Sequence, residues 1–225
     1  MDIKADLPSK TLNWFVIWRM ALLRPTVTTF QQIANDPKAS VKWGITWMAI
    51  TSIVVWFTNP LRAFLDGPIE NTFGMQAYSY FLVIGAVVSP IVGVVALLIA
   101  ASVARVFAHL FGGTGNFYQL VYCWGVMSPP FIILSGLVSH IPAIFSSSRS
   151  FVYSRVGIIV QLISIALFAC ANLYQLYAEV IALSAIEKLV IWKSIGIILL
   201  LLIIVGVAIS CLSFGFQIWV QGFGY

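Results

Sequence analysis

The distribution of charge constrains this chain most. No Asp, Glu, Lys or Arg occurs between Glu70 and Arg105, between Arg105 and Arg149, between Arg155 and Glu179, or after Lys193. About 20 consecutive apolar residues cross a bilayer as an α-helix, and each of these intervals is long enough. A further apolar run begins at Trp43. The expected fold class is therefore an all-α integral membrane protein. Five transmembrane helices follow one or two short interfacial amphipathic helices.

Composition excludes the main alternative. Only 8% of the 225 residues are charged and 61% are hydrophobic, whereas a soluble domain carries about 25% charged residues. The net charge of +5 reads as membrane orientation by lysine and arginine, with no nucleic-acid partner. Cys123, Cys170 and Cys211 all lie in apolar runs without metal-ligand spacing, which fits small buried residues. Residues 12–23 are too short and too interrupted, by Arg19, for a cleaved signal peptide, and Arg24-Pro25 follows instead of a small-residue cleavage site.

Residues 1–40 read as a polar start and an interfacial N-terminal segment, and 41–225 as the membrane domain. Its spans are expected at about 43–61, 75–104, 116–141, 156–178 and 189–216. The connections are a first loop over 62–74, a glycine turn at Gly112-Gly113-Thr114-Gly115, a serine-rich loop over 142–153 and a short link carrying Glu187 and Lys188. A polar-aromatic tail is expected over 217–225. Five crossings put Lys4, Lys10, Arg19, Arg24, Lys38, Lys42, Arg105, Lys188 and Lys193 on one side and Arg62, Arg149 and Arg155 on the other. Nine basic residues against three predict a cytoplasmic N-terminus and a C-terminus outside or in a lumen.

Several groups are candidates for function. On the fourth span Gln161, Ser164, Asn172, Gln175 and Glu179 fall within about an 80° arc at 100° per residue. Polar side chains avoid lipid, so this stripe is expected to face the bundle interior as a polar groove or as interhelical hydrogen bonds. In the third span Ser128-Pro129-Pro130 removes two backbone donors and predicts a helix break or bend. Gly85, Ser89, Gly93, Ala96, Ala100 and Ala104 form a small-residue seam suited to close helix approach. Arg105 and His109, one turn apart, are candidates for a lipid phosphate. Trp14, Trp18, Arg19 and Arg24 are candidate contacts with the interface or a partner.

No catalytic set, cofactor site or metal site is apparent. There is no H-E-x-x-H, and His109 and His140 stand 31 positions apart. The Gly112–Gly115 turn lacks the lysine of a phosphate loop. No serine sits in G-x-S-x-G.

The pieces, in order, resemble the Yip family, the Ypt/Rab-interacting membrane proteins, in its prokaryotic form. Three features carry the resemblance. They are Arg24-Pro25-Thr26 through Phe30, Ile33 and Asp36-Pro37; Gly112-Gly113-Thr114-Gly115-Asn116-Phe117 followed by Pro129 and Pro130; and the five-span plan. The D-L-Y-G-P segment of eukaryotic members does not occur. The resemblance implies a non-enzymatic membrane adaptor or scaffold. Its partners would be membrane lipids and another membrane protein, or a second copy of the chain. A transporter using the fourth-span stripe, or an accessory subunit of a larger complex, is the alternative expectation.

Overall fold

A computed structural model describes residues 12–65, 75–145 and 155–222, without the side chains of 58–65, 75–82, 139–145, Arg155 and most of those beyond 208. The polar start, most of the first and serine-rich loops, the end of the tail and the side chain of His140 lie outside the described residues.

Among the described residues all regular structure is helical. The order is α1 (Trp14–Leu23), α2 (Val27–Ala34), α3 (Val41–Leu65), α4 (Met75–Leu110), α5 (Phe117–Phe145), α6 (Arg155–Glu187) and α7 (Ile191–Gly222). The two short helices expected before the spans are α1 and α2. Among the described residues four helices hold stretches long and apolar enough to cross a membrane: Val83–Leu110, Phe117–Val138, Val156–Glu187 and Ile191–Ala208. The fully described part of α3, Val41–Phe57, is a shorter apolar helix.

The helices overrun their expected ends. Helix α4 has 36 residues, about 54 Å at 1.5 Å per residue, and α6 continues nine residues past 178. Helix α5 takes up the start of the expected serine-rich loop, and α7 takes up most of the expected tail.

Of the break or bend expected at Pro129-Pro130, the helix shows no break: α5 runs continuously from Phe117 to Phe145. The prolines deprive the carbonyls of Gly125 and Val126 of their usual donors. The surroundings hold the helix regardless. Every residue from 120 to 129 is buried, chiefly against α3 and α6. The Ser128 hydroxyl also donates to the Trp124 carbonyl one turn back, at 2.6 Å. Neighbouring helices and Ser hydroxyls are what let proline persist inside spans.

Helices α3 and α5 cross at glycines. A Cβ on Gly125 would stand 2.4 Å from the Gly44 carbonyl oxygen, and one on Gly44 would stand 2.7 Å from that of Val121. Only hydrogen fits at either position, so the two backbones meet directly.

The buried core lies at one end of the bundle. Ile17 and Ala21 of α1, Phe30 and Ile33 of α2, Leu120 to Met127 of α5 and Val180 to Ile186 of α6 pack there together. The start of α3, the end of α4, the start of α5, the end of α6 and the start of α7 all meet at this end. It is called the capped end below.

Candidate functional site

The capped end begins with local turn chemistry. The Thr26 hydroxyl accepts the Thr29 N–H at 3.2 Å and opens α2. This gives one of the unpaired N–H donors at the helix start its acceptor. Asp36 follows α2 and is itself buried. Its Oδ2 accepts the Leu12 N–H at 3.0 Å and its Oδ1 accepts the Lys38 N–H at 2.8 Å. One carboxylate thereby ties the entry to α1 to the entry to α3. Four indoles close the other side. Trp14 lies 5.1 Å from Trp43 and 5.2 Å from Trp47, and Trp18 meets Trp47 edge-on at 4.9 Å. Such tilted geometries suit the ring quadrupoles. Two long-range bonds fix α1 and α2 to the bundle. The Tyr174 hydroxyl donates to the Leu22 carbonyl at 2.6 Å, and the Gln119 amide donates to the Ala34 carbonyl at 3.3 Å.

A second device joins α4, the glycine turn and α6. The Arg105 guanidinium pairs with Glu187 Oε2, and that oxygen also accepts the Gly115 N–H at 2.9 Å. The Glu187 carbonyl accepts the Thr114 N–H at 3.1 Å. Glu187 is fully buried, while Arg105 keeps 26% of its side chain exposed. Charge-assisted bonds of this kind are the stronger ones. The turn can wrap the acid only because it is glycine-rich. Gly112 has φ of +87°, and a Cβ on Gly115 would stand 2.3 Å from the Ile186 carbonyl oxygen.

Between the long helices lies a half-open cavity of about 190 Å³. All five long helices line it, and its polar members are Trp124, Ser128, Gln175 and Glu179. Gln175 Nε2 donates to Glu179 Oε1 at 2.8 Å. A separate apolar groove of about 560 Å³ runs between α3 and α4, lined by Ser52, Trp56, Gly85, Ser89 and Gly93 among others.

The residues singled out in the sequence fall into different settings. Of the polar stripe, Gln175 and Glu179 meet in the cavity. Ser164 is buried and donates to the Val160 carbonyl, and Asn172 donates to the Phe168 carbonyl, each within its own helix. Gln161 is half-buried. Arg105 is engaged by Glu187, and His109 is exposed beside it. Trp14 and Trp18 are turned onto α3, while Arg19 and Arg24 are exposed. The upper seam residues Gly85 and Gly93 face Trp56 and Ser52 of α3, and Ala96 and Ala100 line the cavity. Sequence reading missed Asp36 and Glu187, taken as a helix stop and part of a link, and Trp124. The signal was scarcity. The chain has only seven acidic residues, so an acid beside apolar helices is worth pairing with a distant donor.

Long apolar helices and an all-helical core among the described residues define a multi-pass helical membrane protein. The chain belongs to the Yip family: the Yip1 domain model matches residues 20–212, from inside α1 to well along α7. No curated protein and no solved structure matches it.

Proposed function

We propose that this protein is a non-enzymatic adaptor that binds another membrane protein at its capped end. The carrying observation is the outer face of α1. Phe15, Arg19 and Leu23 stand one turn apart and all point away from the cap, with Phe15 72% and Leu23 69% exposed. Large outward apolar side chains beside a cation are what a partner surface uses. The rest of the cap supports the reading. Its buried acids, Asp36 and Glu187, bond backbone and arginine and are committed to holding the fold.

In this reading α3 is the first of five spans. Its 25 residues reach about 37 Å, enough for the hydrocarbon layer. Residues 1–40 are then the cytoplasmic or interfacial N-terminal segment, with the described residues 12–40 in the cap, and 41–225 the membrane domain. The capped end is cytoplasmic, because it carries Arg19, Arg24, Lys38, Lys42, Arg105, Lys188 and Lys193 and basic residues are retained on that side. The C-terminus then lies across the membrane.

The test is a photo-crosslinking amino acid at position 15 of the full chain in its native membrane. The expected product is one reproducible protein adduct, lost in Arg19→Glu at unchanged protein level. The same probe at Leu162 is expected to capture lipid. Adducts to lipid alone at position 15 overturn the adaptor reading.

A further inference from the structure

The cavity around Glu179 is a second site, independent of the outer face of α1. Glu179 lies eight residues before Glu187, the last residue of α6, which sets it about 12 Å along the helix axis from that end. Among the described residues its polar partner is the Gln175 amide. No lysine or arginine lines the cavity. Arg105, the basic residue within the α4 span, is committed to Glu187. A carboxylate in apolar surroundings is costly unless a cation or further donors meet it. Trp124, only 5% exposed, also lines the cavity. The remaining wall is apolar, with Met48, Ala96 and Ala100 among its members.

This combination selects a ligand class. The unmatched carboxylate calls for positive charge with N–H donors. The apolar wall calls for a hydrocarbon body. A bare metal cation is a poor match, because hard cations take six or more oxygen ligands. Here one carboxylate, one amide oxygen and one hydroxyl are the side-chain oxygens in the lining, well short of that number. Size agrees: an apolar cavity of ~150 Å³ takes benzene, so about 190 Å³ accommodates a molecule of up to about eight heavy atoms. We propose that the cavity between α3, α4, α5, α6 and α7 binds a small protonated aliphatic amine, its ammonium on Glu179 and its chain against Met48, Ala96 and Ala100.

The test uses the full chain in nanodiscs of phosphatidylcholine. Thermal unfolding is followed with n-butylammonium chloride, n-butanol or sodium chloride at matched concentrations. A ligand that binds only the folded state raises the midpoint in a saturable way. Butylammonium is expected to do so and the other two are not. Glu179→Gln is expected to weaken the apparent affinity at least tenfold. Ala100→Leu, which fills the cavity and keeps the acid, is expected to do the same and carries the test should Glu179→Gln not fold. A matching rise with butanol or sodium overturns the proposal. So does the absence of a saturable rise with butylammonium, or its persistence in either variant. Cross-linking from position 15 does not depend on this cavity, so the two readings fail separately.

Discussion

The two ends of α6 follow different rules. From Val180 to Glu187 every residue is buried against other helices. Between Val156 and Leu173 most side chains point outward, with Leu162 61% and Ile165 64% exposed. Helix α4 repeats the contrast: Ala101, Ala104 and Ala108 are fully buried, while Val83, Val87 and Ile91 face out. The capped end is packed as a water-soluble protein would be, with hydrogen-bonded acids and interlocked aromatics. The other end takes lipid as its solvent. Between helices in lipid there is little hydrophobic gain, since acyl chains are as apolar as leucine. Cooperative stability should therefore be concentrated in the cap.

Breaking the ion pair tests that difference at its strongest point. Arg105→Met leaves the Glu187 carboxylate fully buried without its cation. Removing one partner of a buried pair costs about 3–5 kcal/mol, and unfolding of the purified chain in lipid nanodiscs is expected to show a loss of that size. Arg105→Met with Glu187→Met removes both charges and is expected to recover most of it, because the two effects are strongly coupled. A double variant as unstable as the single one would mean that the glycine turn, not the charge pair, depends on Glu187.

The same truncation at two places on α6 measures the contrast directly. Leu183 is fully buried in the cap and Leu162 faces outward. Leu183→Ala is expected to cost about 2–4 kcal/mol, from lost contacts and the cavity left behind. Leu162→Ala opens no cavity, since lipid fills the gap, and is expected to stay within about 0.5 kcal/mol. Equal losses at both positions would remove the distinction between the two regions.

Sequence made the lipid-facing region legible and the cap much less so. Apolar run length is a local property, and it located the four long apolar stretches. The cap is held by non-local partners. Asp36 reaches back 24 positions to Leu12, and Glu187 reaches back 72 to Gly115 and 82 to Arg105. No local spacing encodes such pairs. Trp14 and Trp18 read as interface aromatics, yet they pack on Trp43 and Trp47, because packing and interface anchoring favour the same residues. Helical angle grouped the polar stripe but not its reach. Ser164 and Asn172 are short enough to turn back onto their own helix, whereas Gln175 and Glu179 extend into the cavity.

A smaller effect separates the cap from its attachment. Asp36→Ala frees two backbone donors, those of Leu12 and Lys38. Unmet part-buried donors cost about 1–2 kcal/mol in total, since both can recover water. The loss should be local to α1, so limited proteolysis is expected to cut before Trp14 several-fold faster while cleavage within α6 is unchanged.

The smallest expected effect is a gain at the turn after α6. Lys188 has φ of +55°, a left-handed conformation in which a side chain is strained. Its neighbours enforce it: the Leu189 N–H donates to the Ser184 carbonyl at 3.2 Å, and the Ser184 hydroxyl donates to the Leu189 carbonyl at 2.7 Å. This is the bonding that usually places glycine after a helix. Glycine at 188 relieves the strain but gives the unfolded chain more freedom, so Lys188→Gly should stabilise by only about 0.5 kcal/mol. A β-branched residue tolerates the conformation worst, and Lys188→Ile should destabilise by ~1 kcal/mol. Hydrogen exchange in the last two turns of α6 is the suitable readout. Protection there is expected to rise with glycine and fall with isoleucine, while amides from 156 to 173 keep their rates. The turn directly follows Glu187, so it adjusts the cap without touching the lipid-facing half of the same helix.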